Sequence, residues 1–162
     1  MGLQETGLEF HPFCDERIML AVPRDHRLAK RDSLRWIDVL DQKFIAIARG
    51  TPVRVLLDFE LARSGAHVAP ECEVGNLHAA LHCVAAGLGI TAVPEHTGSV
   101  LGSRIELVHL TDPRIVVQRG LVRPLSRELR PAAKGFWDCL LDVSHALTAQ
   151  SVAPHLRRGV SQ

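Results

Sequence analysis

Three short stretches of the chain carry residue types that can do chemistry. Arg49-Gly50-Thr51, followed by Pro52, sets a guanidinium, a permissive glycine and a hydroxyl immediately before a helix start. A helix N-terminus presents unpaired N–H groups, and a neighbouring guanidinium adds charge-assisted hydrogen bonds, so this set suits an anion such as a carboxylate. The plain alternative is a helix cap beside a solvated arginine. Gly75-Asn76 stands in the same relation to the next helix, where Asn76 can contact a ligand or cap its own helix. His78 and His82 lie four apart on that helix, a spacing that can place two imidazoles on one metal ion. Between them stand Ala79, Ala80 and Leu81, without the glutamate of a zinc-hydrolase helix, and Cys83 points to another side. A solvent-facing or partly buried histidine pair is therefore preferred, and no metal site is assigned.

Gly87-Leu-Gly89 invites a nucleotide reading, which its direction rejects. A dinucleotide fingerprint needs its glycines after a strand and opening a helix. Here they close the helix of Leu77, Leu81, Val84, Ala85 and Leu88 and open the apolar run Ile90–Val93, which Pro94 ends. Helix, tight glycine turn and buried strand form the unit around which the chain is organised. Ser33, Ser64 and Ser126 lack a Gly-x-Ser-x-Gly setting, no phosphate-binding loop is present, and no carboxylate pair stands out. No catalytic residue and no cofactor are assigned. Thr91 and the segment Pro94–Thr97 offer a weaker opportunity for a polar ligand contact.

The elements that must position these stretches follow from hydrophobic pattern. A polar lead-in over Met1–Phe13 precedes a strand at Arg17–Val22, stopped by Pro23. Ser33 caps an expected short helix containing Leu34, Trp36, Ile37 and Leu40. Lys43–Ala48 is a nearly continuous apolar strand of the kind found inside a parallel sheet. Thr51 as N-cap and Pro52 at the first position specify a helix carrying Val55, Leu56, Phe59 and Leu61, ending at Ser64-Gly65. His67–Glu73 predicts a strand that Pro70 confines to an edge. Arg104–Leu110 and Ile115–Val122 predict two more strands. Pro131 opens a last helix with Ala133, Phe136, Trp137, Leu140 and Leu141 as its stripe, and a frayed tail is expected over 148–162. This alternation argues for an α/β fold with a parallel or mixed sheet, whose ligands bind beyond the carboxyl ends of strands. The loops Arg49–Pro52 and Glu73–Asn76 qualify.

Composition bounds the function. The 162 residues are 46% hydrophobic, enough for a core, and 19 Lys+Arg against 18 Asp+Glu leave a net charge of +1. That balance gives no electrostatic footprint for nucleic acid, so the chain is not expected to bind DNA alone. The start lacks an export signal, and no segment has the apolar length to span a bilayer, which points to a cytoplasmic location. Cys14, Cys72, Cys83 and Cys139 are scattered without metal or redox spacing and are read as reduced, mostly buried thiols.

Taken in order, Gly7-Leu-Glu-Phe-His-Pro-Phe-Cys-Asp-Glu-Arg17, Val22-Pro-Arg-Asp-His-Arg-Leu-Ala29, Trp36-Ile-Asp-Val-Leu40, Val84-Ala-Ala-Gly-Leu-Gly-Ile90 with Val93-Pro94, and Pro131-Ala-Ala-Lys-Gly-Phe136 resemble the effector-binding domain of LysR-type transcriptional regulators. The resemblance runs from about Gly7 to Leu141. It implies a fold like the type 2 periplasmic binding proteins: two α/β lobes joined by crossover strands, with a small effector between them. It also implies that Met1 falls after most of the first lobe and after the family's winged helix-turn-helix. The expectation is a partial effector-binding domain over 1–147, with one complete lobe at about 13–101 and a return to the other over 102–147.

On that resemblance, Arg49, Gly50, Thr51, Gly75 and Asn76 line the effector cleft and hold a small, anionic metabolite. The implied partners are that effector and a second copy or a full-length homologue, with DNA reached only through a domain outside this sequence. Uncovered apolar faces at Ile115–Val122 and Phe136–Leu141 favour pairing with another chain. The competing readings are a solute-binding protein of the same fold, a small α/β enzyme using the cleft, and a purely structural partner docking through the last helix.

Overall fold

The computed structural model describes residues 7–100 and 102–152. The chain divides into two units, Glu16–Val117 and a second comprising the residues up to Asp15 and from Gln118 onward. The strand Ile105–Thr111 falls in the first of these, and the chain leaves that unit after Val117.

The Glu16–Val117 unit is built on β1 (Leu8–Pro23), whose second half is buried almost without break from Ile18 to Val22. Two antiparallel partners flank it, β5 (Thr91–Pro94) and β6 (Ile105–Thr111), with Leu20 opposite both Ala92 and Val108. β2 (Ser33–Arg35) adds in parallel to β6, so the sheet is mixed. β3 (Phe44–Ile47) and β4 (Pro70–Val74) form a separate parallel pair, and among the described residues β4 has no other strand partner, in keeping with Pro70 at a sheet edge.

Two helices follow these strands. α1 (Pro52–Arg63) and α2 (Leu77–Ala85) both end in Schellman motifs at glycine. Ala66 N donates to Leu61 O and Gly65 N to Ala62 O after α1; Leu88 N donates to Cys83 O and Gly87 N to Val84 O after α2. Gly65 and Gly87 sit at φ +73° and +76°, a conformation glycine alone adopts without strain. At Gly89 the need is different: a Cβ there would fall well inside 3.0 Å of the Lys43 carbonyl oxygen. The turn lies directly against β3, where Ile90 N donates to Lys43 O at 2.9 Å and Ile45 N to Ile90 O at 2.8 Å.

One buried cluster gathers Ile18, Leu20, Trp36, Val39, Leu57, Leu61 and Val108; another gathers Ala21, Ile45, Ala80, Val84 and Val93. Trp36 is fully buried, and its indole N–H donates to Pro113 O at 3.0 Å, so the polar end of this large apolar side chain is satisfied.

Four expectations are corrected here. Met1–Phe13 is not a lead-in throughout, because β1 already begins at Leu8. The helix expected after Ser33 is a short strand followed by a single 3-10 turn at Trp36–Asp38, closed by Arg35 and Asp38 bonding to each other. On α1, Val55 and Phe59 are exposed, and Arg54, Leu57 and Leu61 form the inward face. Cys14, Cys72 and Cys139 are exposed and Cys83 is half-buried.

In the second unit the first half of β1 pairs with β7 (Val116–Pro124). Leu125 N donates to Gly7 O, Gln118 Nε2 donates to Asp15 Oδ1, and Arg123 pairs with Glu9. The Arg123 guanidinium also lies 5.3 Å over the Trp137 ring, tying α3 (Pro131–Val152) to β7. Residues 148–152, expected to begin a frayed tail, continue this helix, while 153–162 lie outside the described residues. Val122, Leu125, Phe136 and Val143 are exposed apolar side chains.

Candidate functional site

β3 and β4 run parallel and in register at their carboxyl ends, with Ile47 opposite Val74. Each then passes through a short loop into a helix, so the two loops emerge side by side, about the 4.8 Å of neighbouring strands apart. Ala48 N extends the ladder by donating to Val74 O at 2.8 Å. Arg49, Gly50 and Thr51 are thereby brought beside Gly75 and Asn76, and the N-termini of α1 and α2 open from the same edge. Free helix-start N–H groups and their partial positive charge converge there.

The side chains are disposed less simply than their types suggest. Arg49 is exposed; its backbone N–H donates to Glu73 Oε1 at 3.3 Å and its Nε lies 3.7 Å from Glu73 Oε2. Gly50 takes φ +84° with open space where a side chain would be, so the loop depends on glycine for conformation rather than for room. Thr51 does not cap α1. Its hydroxyl donates instead to Ala48 O at 3.0 Å, so the N-cap side chain makes no hydrogen bond to this helix. Asn76 does cap: its Oδ1 accepts from Ala79 N at 3.0 Å. The amides opening α1 are thus the more available of the two sets.

Arg54 was not singled out from the sequence and Glu73 only as the first residue of its loop, yet the two tie the loops together. Arg54 is an arginine with only 8% of its side chain exposed. Its Nε donates to the Asp58 carboxylate at 2.8–2.9 Å, its Nη1 donates to Ile47 O at 3.1 Å, and Nη1 lies 3.6 Å from Glu73 Oε2. A buried guanidinium needs such partners, because leaving its charge unpaired costs several kcal/mol. The signal in the sequence was positional: 54, 57, 58 and 61 share one helical face, which places an arginine and an aspartate four apart in line with two leucines.

The remaining candidates make their hydrogen bonds outside this pair of loops. Thr91 is buried and its hydroxyl donates to Ile45 O at 2.7 Å, fastening β5 to β3. Glu16, buried on β1, accepts from His96 N at 2.7 Å and pairs with its imidazole. His78 and His82 are both exposed on α2, and among the described residues no three His, Cys, Asp or Glu side chains gather as metal ligands.

The family model for the LysR substrate binding domain matches residues 2–144. The chain belongs to this family. Among curated relatives it is similar to the uncharacterized HTH-type transcriptional regulator YbhD of Escherichia coli K12, at 31% identity over 148 residues. That match covers 88% of this chain and 45% of the relative, so the chain spans less than half the length of that regulator. Among solved structures it resembles the effector binding domain of QuiR in complex with shikimate, with TM-score 0.78 and 22% identity, covering 90% of this chain and 69% of that one. It also resembles the regulatory domain of Synechocystis PCC6803 CcmR in complex with 2-PG, with TM-score 0.78 and 24% identity over 85% and 67% of the two chains. These likenesses establish the LysR effector-domain fold, the periplasmic-binding-protein-like α/β class expected from the sequence motifs.

Proposed function

We propose that this chain is the ligand-sensing part of a LysR-type transcriptional regulator and that it binds a small, anionic metabolite through Arg49, Gly50, Thr51, Gly75 and Asn76. The observation that carries the reading is the convergence of the two loops at the carboxyl ends of β3 and β4, with both helix N-termini opening from one edge. Family membership and the small molecules bound by QuiR and CcmR support it. The role is binding rather than catalysis. The effector acts by binding one conformation of a multi-subunit regulator more tightly than another, and DNA is contacted by a separate domain of the full regulator in the cytoplasm.

Isothermal titration against small carboxylates and phosphate esters, shikimate among them, tests this. A ligand bound by the wild-type chain is expected to lose at least tenfold in affinity on Arg49→Ala. Equal binding by wild type and Arg49→Ala would remove Arg49 from the site.

A further inference from the structure

The donors that suit an anion at the first loop already hold one. Glu73 sits 40% exposed on β4, and its two oxygens meet the backbone N–H of Arg49, the Nε of Arg49 and the Nη1 of Arg54. A loop N–H with flanking guanidinium groups is the set that recognises a ligand carboxylate. Arg54 is held in place by Asp58 and Ile47 O, and it anchors Glu73 from behind. The four charges Arg49, Arg54, Asp58 and Glu73 cancel, so the loop is formally neutral until Glu73 leaves.

We infer that Glu73 is the specificity-determining residue of this loop, an internal carboxylate that competes with anionic ligands for Arg49. The inference rests on the proposed anion-binding role and deepens it. The contacts of Glu73 with Arg49, at 3.3 and 3.7 Å, are long and partly solvated, so the competitor is weakly held on that side. A weak monodentate acid gains little by replacing a carboxylate already in position. An acid with a second charge, or with further hydrogen-bonding groups reaching Gly75 and Asn76, gains enough to displace it. Selectivity against simple carboxylates then arises from a repulsive element as well as from attractive ones.

Inorganic sulfate is a suitable probe, with binding read from backbone amide shifts of residues 49–54 and 75–77 at fixed ionic strength. Glu73→Gln keeps the side chain's shape and removes its charge. It is expected to bind sulfate about three- to tenfold more tightly than wild type, and the gain should vanish in Arg49→Ala/Glu73→Gln. Glu106→Gln, which makes the same charge change away from the loops on β6, should leave sulfate affinity within about twofold. Equal or weaker binding by Glu73→Gln, with the wild-type amides still responding, would overturn the role of Glu73 while leaving the anion site intact. Equal gains from Glu73→Gln and Glu106→Gln would overturn it as a mere net-charge effect. If these amides respond in neither wild type nor Glu73→Gln, the anion site itself falls, and the inference with it.

Discussion

Gly89→Ala should damage this protein more than Gly87→Ala, although only Gly87 has a left-handed backbone. At Gly89 a methyl group would sit well under 3.0 Å from Lys43 O, 3.2 Å from the Lys43 carbonyl carbon and 3.3 Å from Ile45 Cγ1. Two of these atoms are backbone of the residue that leads into β3 and cannot swing away. Relief requires β3 to retreat from the turn, which opens Ile90 N→Lys43 O and strains Ile45 N→Ile90 O. Each such bond is worth about 0.5–1.5 kcal/mol net. Overpacking adds roughly 1–3 kcal/mol, so the expected loss is about 2–5 kcal/mol. At Gly87 nothing lies within 4 Å, and the cost is conformational, about 1–2 kcal/mol.

Urea unfolding followed by fluorescence measures the difference cleanly in a Trp137→Phe background, because the remaining tryptophan, Trp36, lies in the same unit as both glycines. A Gly89→Ala loss within about 0.5 kcal/mol of the Gly87→Ala loss, the usual scatter for benign surface changes, would refute the close approach of turn and strand.

Further outcomes follow from the same packing. Trp36→Ala should cost about 3–5 kcal/mol, since it empties a fully buried site and leaves Pro113 O without its donor; chemical unfolding measures it. Arg54→Met should lower stability by less than Arg54→Ala, because methionine keeps the buried stem volume while both lose the guanidinium; paired melting curves decide this. His26 is held below the ordinary histidine value of 6.5, first by burial and then by the nearby Arg27 charge, and its Nδ1 accepts from Leu28 N. Its neutral form is favoured in the folded chain, so its contribution to stability is present above about pH 6.5 and declines as pH falls through its lowered value. Asp38, lowered by its hydrogen bonds from Arg35, acts in the same direction at more acidic pH. Stability measured from pH 7 to pH 4 should therefore fall less steeply in His26→Gln than in wild type.

The features most legible in the sequence were those that a single local rule decides. Pro52 opened α1, Gly65 and Gly87 closed the two helices, and the unbroken apolar run of Phe44–Ile47 marked a buried strand. The order Gly87, Leu88, Gly89 before Ile90 excluded a nucleotide loop on direction alone. Features set by tertiary partners were missed. The first half of β1 is broken by Glu9, His11, Pro12 and Asp15, and its partner β7 lies far along the chain, so local pattern alone does not extend the strand back to Leu8. Leu34 with Ile37, and Trp36 with Leu40, have helical spacing, but β6 offers Leu34 a parallel partner and Pro113 offers Trp36 an acceptor. On α1 the inward face was misassigned because Val55 and Phe59 outrank Arg54 in hydrophobicity, whereas Arg54 is buried by its ion pairs and its bond to Ile47 O.

Two loops and five residues were singled out as a candidate site, and the structure sets those loops side by side. Their side-chain partners were not legible, because Glu73 reaches Arg49 across two strands that are far apart in sequence. Thr51 shows the limit of a capping rule: its hydroxyl donates to the carbonyl three residues back, at Ala48, instead of accepting from an N–H of α1.

A small acid is expected to bind where β3 and β4 end. Its most direct test is an amide-shift map of the chain titrated with whichever small acid binds tightest in calorimetry. The largest changes should fall on Gly50, Thr51, Val53, Arg54, Gly75 and Leu77. Changes centred instead on His78, His82 and Arg104, or around Arg27 and Arg31, with those loop amides unmoved, would contradict it.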